Sequence, residues 1–288
     1  MGGGVEVGKA LEWMIASSGG GDFVVIRVTG GDDYNEYLYR NLGGVDSVET
    51  LRIDSEALVY NEAVAQTIRD AEALFIAGGD QYDYVSLWKD TPIEDAINYL
   101  RNNKRVPIGG TSAGSAIQGE IYFDAAKGTI RSEDAMANPY DNRVSLRRGG
   151  FLSNPYLEDT ITDTHYNNPD RRGRHLTFMA RMVIDWDIDA RGIGIDERTA
   201  VVIEADGRAR VFGRGDAFFM QIYDRSGPER CEPGRSLDWF RDRRAVEGYK
   251  IRGNRGGDRY FDLRKWDSGS GGSWRYYYVD RGRLGVSR

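Results

Sequence analysis

Residues 106 to 116 carry a short apolar run that stops at paired glycines and presents a serine inside Gly110-Thr111-Ser112-Ala113-Gly114. A serine in a G-x-S-x-G string sits at a sharp strand-to-helix turn, where small neighbours let the backbone fold tightly enough to lift the hydroxyl clear of the sheet edge. The chemistry this offers is nucleophilic attack on an acyl carbon. The amide of Ala113 points at the same space as Ser112, so half of an oxyanion hole comes with the turn. The same five residues also occur in ordinary loops. What favours the elbow here is the apolar strand before it, and Ala113, Ala116 and Ile117 after it, which continue as a helix whose first amides favour developing negative charge.

A nucleophilic serine needs a base, and the chain holds two histidines, His165 and His175. His165 ends the run Thr160-Ile161-Thr162-Asp163-Thr164-His165, which alternates as a strand does and breaks at Asn167-Asn168-Pro169. That puts it at a strand's exit. His175 falls among Leu176, Met179, Ala180 and Val183, the buried stripe of a helix, and is expected to face solvent. A lone histidine at a strand end also reads as a hydrogen-bonded structural residue; the candidate nucleophile favours the catalytic reading of His165.

The base in turn needs a carboxylate to orient it, and Gly192-Ile193-Gly194-Ile195-Asp196-Glu197 offers two. Adjacent strand-end residues point to opposite sides, so one of them faces the histidine. Glu197 is taken over Asp196, though spacing alone does not separate them, and Asp196-Glu197-Arg198 also reads as a charged hairpin turn. The order Ser112, His165, Glu197 differs from the nucleophile, acid, histidine order of α/β-hydrolases, which argues against a lipase or esterase.

The elements that must hold these residues alternate as a mostly parallel, doubly wound α/β sheet requires. Phe23 to Val28, Val48 to Ile53, Ala73 to Ala77 and Arg105 to Gly109 read as strands, with Glu56 to Arg69 and Ile93 to Arg101 as helices. Gly79, Ser112, His165 and Glu197 each follow a strand's carboxyl end, the edge where open α/β sheets build their sites. From Gly192 the pattern becomes short consecutive strands, Gly192 to Ile195, Thr199 to Ile203, Ala209 to Phe212 and Ala217 to Ile222, which suit an antiparallel edge. We therefore expect a catalytic α/β domain over 1–223 and a β-rich extension over 224–288 packed on it. The aromatic strands of that extension suit packing or an oligomer surface, a homodimer included, rather than a nucleic-acid platform. Met1-Gly2-Gly3-Gly4 reads as the glycine turn into a helix bearing Val7, Ala10, Leu11, Met14 and Ile15 on one face, with its preceding strand nearly absent. Either the natural start lies upstream, a removed leader included, or the fold begins at its first turn.

Four blocks, Gly78-Gly79-Asp80-Gln81, Gly110 to Gly114, Asp163-Thr164-His165-Tyr166 with Arg171, Gly173 and Arg174, and Gly192 to Glu197, together with Ser132 to Tyr140, resemble the cyanophycinases and their relatives in serine peptidase family S51. The resemblance runs over about residues 1 to 222. It implies a class I glutamine-amidotransferase-like, flavodoxin-like fold and a Ser112-His165-Glu197 triad. It also implies hydrolysis of amide bonds near acidic residues, with no metal or other cofactor. Gly79 takes the role of the second oxyanion amide, and Gln81 and Asp163 those of substrate-binding side chains. Arg171 and Arg174 beside the histidine offer forks for a substrate carboxylate. Pro169 stands where those relatives carry a further arginine, so part of the substrate clamp is missing. Cyanophycin, a related β-aspartyl peptide or another acidic peptide is the expected substrate; a small-molecule amidase or esterase, or a peptide-binding protein without turnover, are the alternatives.

Composition bounds the rest. At 288 residues a core of this size needs no covalent staples. Cys231 is the only cysteine, which excludes an intrachain disulfide and a thiolate metal site. The net charge of −6 argues against nucleic acid as a main partner. No apolar run has the length of a membrane span and no charged-then-apolar leader opens the chain, which leaves a cytoplasmic or a secreted enzyme open.

Overall fold

A computed structural model describes residues 1–149 and 151–288. The first layer is a four-stranded parallel sheet of β1 (Asp22–Arg27), β2 (Ser47–Arg52), β3 (Ala73–Ile76) and β4 (Ile108–Gly110), in the order β2-β1-β3-β4. β3 is buried along its whole length, as a strand covered on both faces must be. On one face lie Leu11, Met14 and Ile15 of the helix Gly8–Ser18; on the other, Trp88, Ile93 and Ile97 from the helices Gln81–Trp88 and Pro92–Tyr99.

The second sheet has eight strands. β5 (Ile121–Phe123), β6 (Leu146–Arg148), β7 (Thr160–Asp163) and β8 (Arg191–Ile195) form one end of it. β7 and β8 run parallel, joined by the 15-residue helix Arg172–Trp186. After β9 (Thr199–Ile203) and β10 (Arg208–Gly213), the chain returns as β11 (Asp216–Ile222), antiparallel to β8. The sheet then extends through β12 (Val246–Arg252), while β13 (Tyr260–Asp262) and β14 (Gly269–Ser270) join β9 and β10 in a third, antiparallel sheet. Finally β15 (Gly272–Asp280) and β16 (Arg283–Ser287) complete the eight-stranded sheet.

Three sequence expectations change here. The four short strands from Gly192 do not make one antiparallel edge. β8 pairs parallel with β7 because a helix connects them, β11 lies against β8, and β9 with β10 peels off into its own sheet. The helix expected over Glu56 to Arg69 is two helices, Glu56–Val59 and Glu62–Asp70. Asn61 breaks it by turning extended and capping the second with its side chain on the amide of Ala63, 2.9 Å away. His175 does not face solvent; it is fully buried.

Candidate active site

The elbow is strained in the way its sequence requires. Ser112 has φ 51° and ψ −117°, a region that costs a non-glycine residue about 1–3 kcal/mol and persists only where its surroundings enforce it. Those surroundings are tight: a Cβ on Gly114 would stand 2.2 Å from the carbonyl oxygen of Ile76, so only glycine lets the turn lie against β3. The helix that follows is a single turn, Ala113–Ala116. Whatever the elbow offers an anion therefore comes from individual amides and not from a long helix dipole.

Ser112 Oγ lies 2.7 Å from Nε2 of His165, whose Nδ1 lies 2.8 Å from Oε1 of Glu197. The imidazole and the carboxylate are about a quarter exposed, at 26% and 25%. The hydrogen bond from His165, helped by Asn168 and the nearby Arg198, holds the Glu197 carboxyl below the usual range despite some burial. Asp196 is directed elsewhere: its carboxylate accepts from the amide of Asp216 at 2.8 Å, and burial pushes its carboxyl up. Of the two adjacent carboxylates, Glu197 is the one that meets the imidazole.

These three loops are tied together by the glycine run at the start of the chain. The Met1 carbonyl accepts from the amide of Ser112 at 3.1 Å, that of Gly2 from His165 at 2.7 Å, and that of Gly3 from Arg198 at 2.9 Å. Gly3 has φ +92°, and a Cβ there would sit 2.4 Å from the His165 ring. The run read from sequence as a turn into a helix is also the seat of the imidazole.

The Gly78-Gly79 turn leaves β3 beside the elbow: a Cβ on Gly78 would meet Cβ of Ser112 at 3.5 Å. Tyr84 fixes the turn from below. Its hydroxyl donates to the carbonyls of Ala77 and Gly78 at 3.0 and 2.9 Å, and its ring stacks on Trp88 with centroids 4.6 Å apart. The amides of Gly79 and Ala113 donate to no acceptor among the described residues, which leaves both free for an oxyanion. Gln81 opens the next helix, its side-chain amide 3.3 Å from the carbonyl of Phe123.

The arginine clamp expected from the sequence needs correction. Arg174 and Asp163 are spent on each other, 3% and 4% exposed, with Arg174 Nε 2.8 Å from Oδ2 and Nη2 2.5 Å from Oδ1 of Asp163. Burial alone would raise the Asp163 carboxyl, but Arg174 holds it low. Both side chains are closed off from solvent. Arg171 is different: its guanidinium is 20% exposed, donates to the carbonyl of Thr164 at 3.0 Å, and is brought down to about 10 by burial. His175 lies behind this pair, with Nδ1 2.9 Å from the Tyr166 hydroxyl and Nε2 3.4 Å from the carbonyl of Ile161.

Tyr84 and the glycine run as a seat for His165 were not read from the sequence; a tyrosine five residues after a GG turn on a short helix is the signal that could have found the first. Between β4 and β9 lies a cavity of about 850 Å³, walled by Phe75, Ile108, Ile193 and Val201 together with Arg101 and Glu204. Ser112, His165 and Glu197 do not line it. The reactive groups stand on an open rim.

The family model for peptidase family S51 matches residues 27–211. A cyanophycinase of Synechococcus elongatus is 30% identical over 187 residues, 65% of this chain and 53% of the relative. One of Trichormus variabilis is 30% identical over 172 residues, 60% of this chain and 52% of the relative. The chain thus spans about half the length of the curated relatives it matches. A crystal structure of a peptidase from an acI-B1 Actinobacterium superposes with a TM-score of 0.52 at 18% identity, covering 75% of this chain and 87% of the other. At that identity the likeness is one of fold. No helix among the described residues is long and apolar enough to cross a membrane.

Proposed function

The chain belongs to peptidase family S51, and on that premise we propose that it is a serine peptidase working through Ser112, His165 and Glu197. The observation that carries the reading is the unbroken line of contacts from Ser112 Oγ through both ring nitrogens of His165 to Oε1 of Glu197, at 2.7 and 2.8 Å. Nε2 takes the serine proton as Oγ attacks the scissile carbonyl carbon. Glu197 holds the Nδ1–H bond, fixes the tautomer and stabilises the imidazolium that forms. The amides of Gly79 and Ala113 receive the oxyanion. The imidazolium then gives its proton to the leaving amine, and the same nitrogen activates a water that releases the acyl group.

For the substrate, the names of the relatives and the site's charges point the same way. We take it to be cyanophycin or a β-aspartyl or other acidic peptide. Arg171 holds the substrate carboxylate, Gln81 contributes a polar contact, and the buried Asp163–Arg174 pair positions the strand end that carries His165. One accessible arginine in place of several makes the clamp weaker, which favours short β-aspartyl peptides over the polymer.

The test is a mass-spectrometric digest of cyanophycin and β-aspartyl peptides with wild type and Ser112→Ala. We expect cleavage by wild type and a loss of about 10⁴-fold or more in the variant, the scale on which serine triads fail when the nucleophile is removed. Turnover by Ser112→Ala at the wild-type rate would remove the serine from the mechanism.

A further inference from the structure

β4 is the last strand of the parallel four-stranded sheet and β9 the last of the antiparallel one, and among the described residues neither is paired on its outer side. The cavity of about 850 Å³ lies between these two edges: every residue from Val106 to Gly110 and from Ala200 to Ala205 lines it. An open edge is a row of backbone donors and acceptors ready to pair with another strand. Here two of them face each other across one slot.

Because ladder bonds alternate, those on one side of a strand tell which groups face the other. The carbonyl of Pro107 accepts from the amide of Leu74 at 3.1 Å, and the amide of Thr111 donates to the carbonyl of Ile76 at 3.1 Å. Odd-numbered residues of β4 therefore bond to β3, and the backbone groups of Ile108 and Gly110 turn outward. On β9 the amide of Glu204 donates to the carbonyl of Arg208 at 2.9 Å, and the register continues with Val202 opposite Arg210 and Ala200 opposite Phe212. Val201 and Ile203 are left facing the slot.

The first residues of the chain already make the top rungs of a strand between the two edges. Met1 N donates to the carbonyl of Gly110 at 2.7 Å and the Met1 carbonyl accepts from Ser112 at 3.1 Å, the two bonds of a parallel bridge to Thr111. Gly2 turns the other way, its amide donating to the carbonyl of Thr199 at 2.9 Å, at the head of β9. Chain entering Met1 on this course runs through the slot, parallel to β4 and antiparallel to β9. Burial also brings the Met1 amine down to about 5, and a peptide N–H in its place would keep the bond to Gly110 with no charge to bury.

We propose that the slot between β4 and β9 is a strand site, filled by about five residues of chain continuous with Met1, which join the parallel and antiparallel sheets into one. The walls define the occupant. Trp13, Met14 and Phe75 on one side and Leu157 and Ile193 on the other are apolar, whereas Arg101 and Glu204 stand at the ends of β4 and β9 remote from Met1. A strand covered on both faces is a continuous apolar run; here it begins with a polar residue near Arg101 and Glu204. The effect reaches the rim, because the carbonyls of Met1, Gly2 and Gly3 hold the amides of Ser112, His165 and Arg198, and a strand behind them fixes that seat.

The test compares the 288-residue chain with two versions extended directly before Met1. One carries Met-Lys-Val-Ile-Val-Ile; the other has proline in place of both isoleucines, which removes two ladder donors at the same length. We expect the apolar extension to raise the melting midpoint by about 5 °C or more and to slow amide exchange at Ser112, His165 and Arg198 by about tenfold or more, and the proline version to do neither. Register is read by cross-linking. A cysteine at the second residue before Met1 stands opposite Val202 in a non-hydrogen-bonded pair, with Cα atoms about 4.5 Å apart, so it should form a disulfide with Val202→Cys. Val201→Cys points to the opposite face and should form none.

An unmoved midpoint with the apolar extension, equal stabilisation by the proline version, or a disulfide formed by Val201→Cys in preference to Val202→Cys would overturn the proposal. So would the lack of a disulfide with either. A disulfide found only between two chains would give the slot to a second copy and overturn it as well. None of these readouts depends on turnover, so their failure is separate from a failure of the triad reading.

Discussion

The two histidines stand ten positions apart in sequence and in opposite surroundings. His165 sits on an open rim with a hydroxyl on one nitrogen and a carboxylate on the other, and it remains about a quarter exposed. His175 is fully buried, bonded to a tyrosine hydroxyl and a strand carbonyl, and burial brings it down to about 4. The same contrast divides the partners of the two carboxylates: Glu197 meets His165 near solvent, whereas Asp163 and Arg174 are locked together in the interior. A group that must exchange protons needs partners that stabilise both of its states. A group whose task is to fill a core needs one state only, and desolvation selects the neutral one for a histidine.

Exchanging the two residues' fates is the strongest way to break this comparison. His165→Gln should lower kcat on a β-aspartyl peptide by about 10³- to 10⁴-fold while the melting midpoint stays near wild type, since triad members fail as a unit. A large loss of stability without loss of specific activity would reverse the assignment.

His175→Gln should do the opposite. Its hydrogen bonds to Tyr166 and Ile161 lie in the core, so we expect a loss of about 1–3 kcal/mol in denaturant unfolding with kcat per folded molecule unchanged. Acid sharpens the point. The folded state keeps His175 neutral down to about 4 from an ordinary value of 6.5. Between those pH values the unfolded chain binds the extra proton, and stability falls as pH falls. The full effect is about 3 kcal/mol, reached by about pH 4. The Asp163 carboxyl, held low by Arg174, adds to the loss only below its ordinary range of 3.8. In His175→Gln the decline between pH 6.5 and 4 should flatten; an unchanged slope would mean that another group is responsible.

How much of this could be read in the sequence follows the range of the interactions involved. Ser112, His165 and Glu197, which the structure brings together, each stand just past an apolar strand, and that is a local pattern. The parallel pairing of β7 and β8 was open to the same reading, because a 15-residue helix lies between them and such crossovers join parallel neighbours. The run of short strands after Gly192 obscured it.

His175 was misplaced for a different reason. Helical periodicity marks one apolar stripe, but every residue from Gly173 to Ala180 is buried, because the sheet covers one side of this helix and the helix Ser132–Ala137 another. A Cβ on Gly192 would lie 2.5 Å from the His175 ring, and one on Gly173 would lie 2.7 Å from Met136. Contacts over such sequence separations leave no trace in a local pattern. Arg174 illustrates the same limit: its type and spacing fit a substrate clamp, and only the fold shows that Asp163 has already taken its fork. Asn167 reads as a loop residue because the amide its side chain accepts, that of Glu197 at 3.1 Å, lies 30 positions away.

The most direct measurement is covalent labelling with a fluorophosphonate, followed by peptide mapping of wild type and His165→Gln. A single adduct on Ser112 in wild type, slowed by orders of magnitude in a folded His165→Gln, is the expected result. No adduct on Ser112, or labelling at the same rate without the imidazole, would contradict the claim that this serine is activated by that histidine.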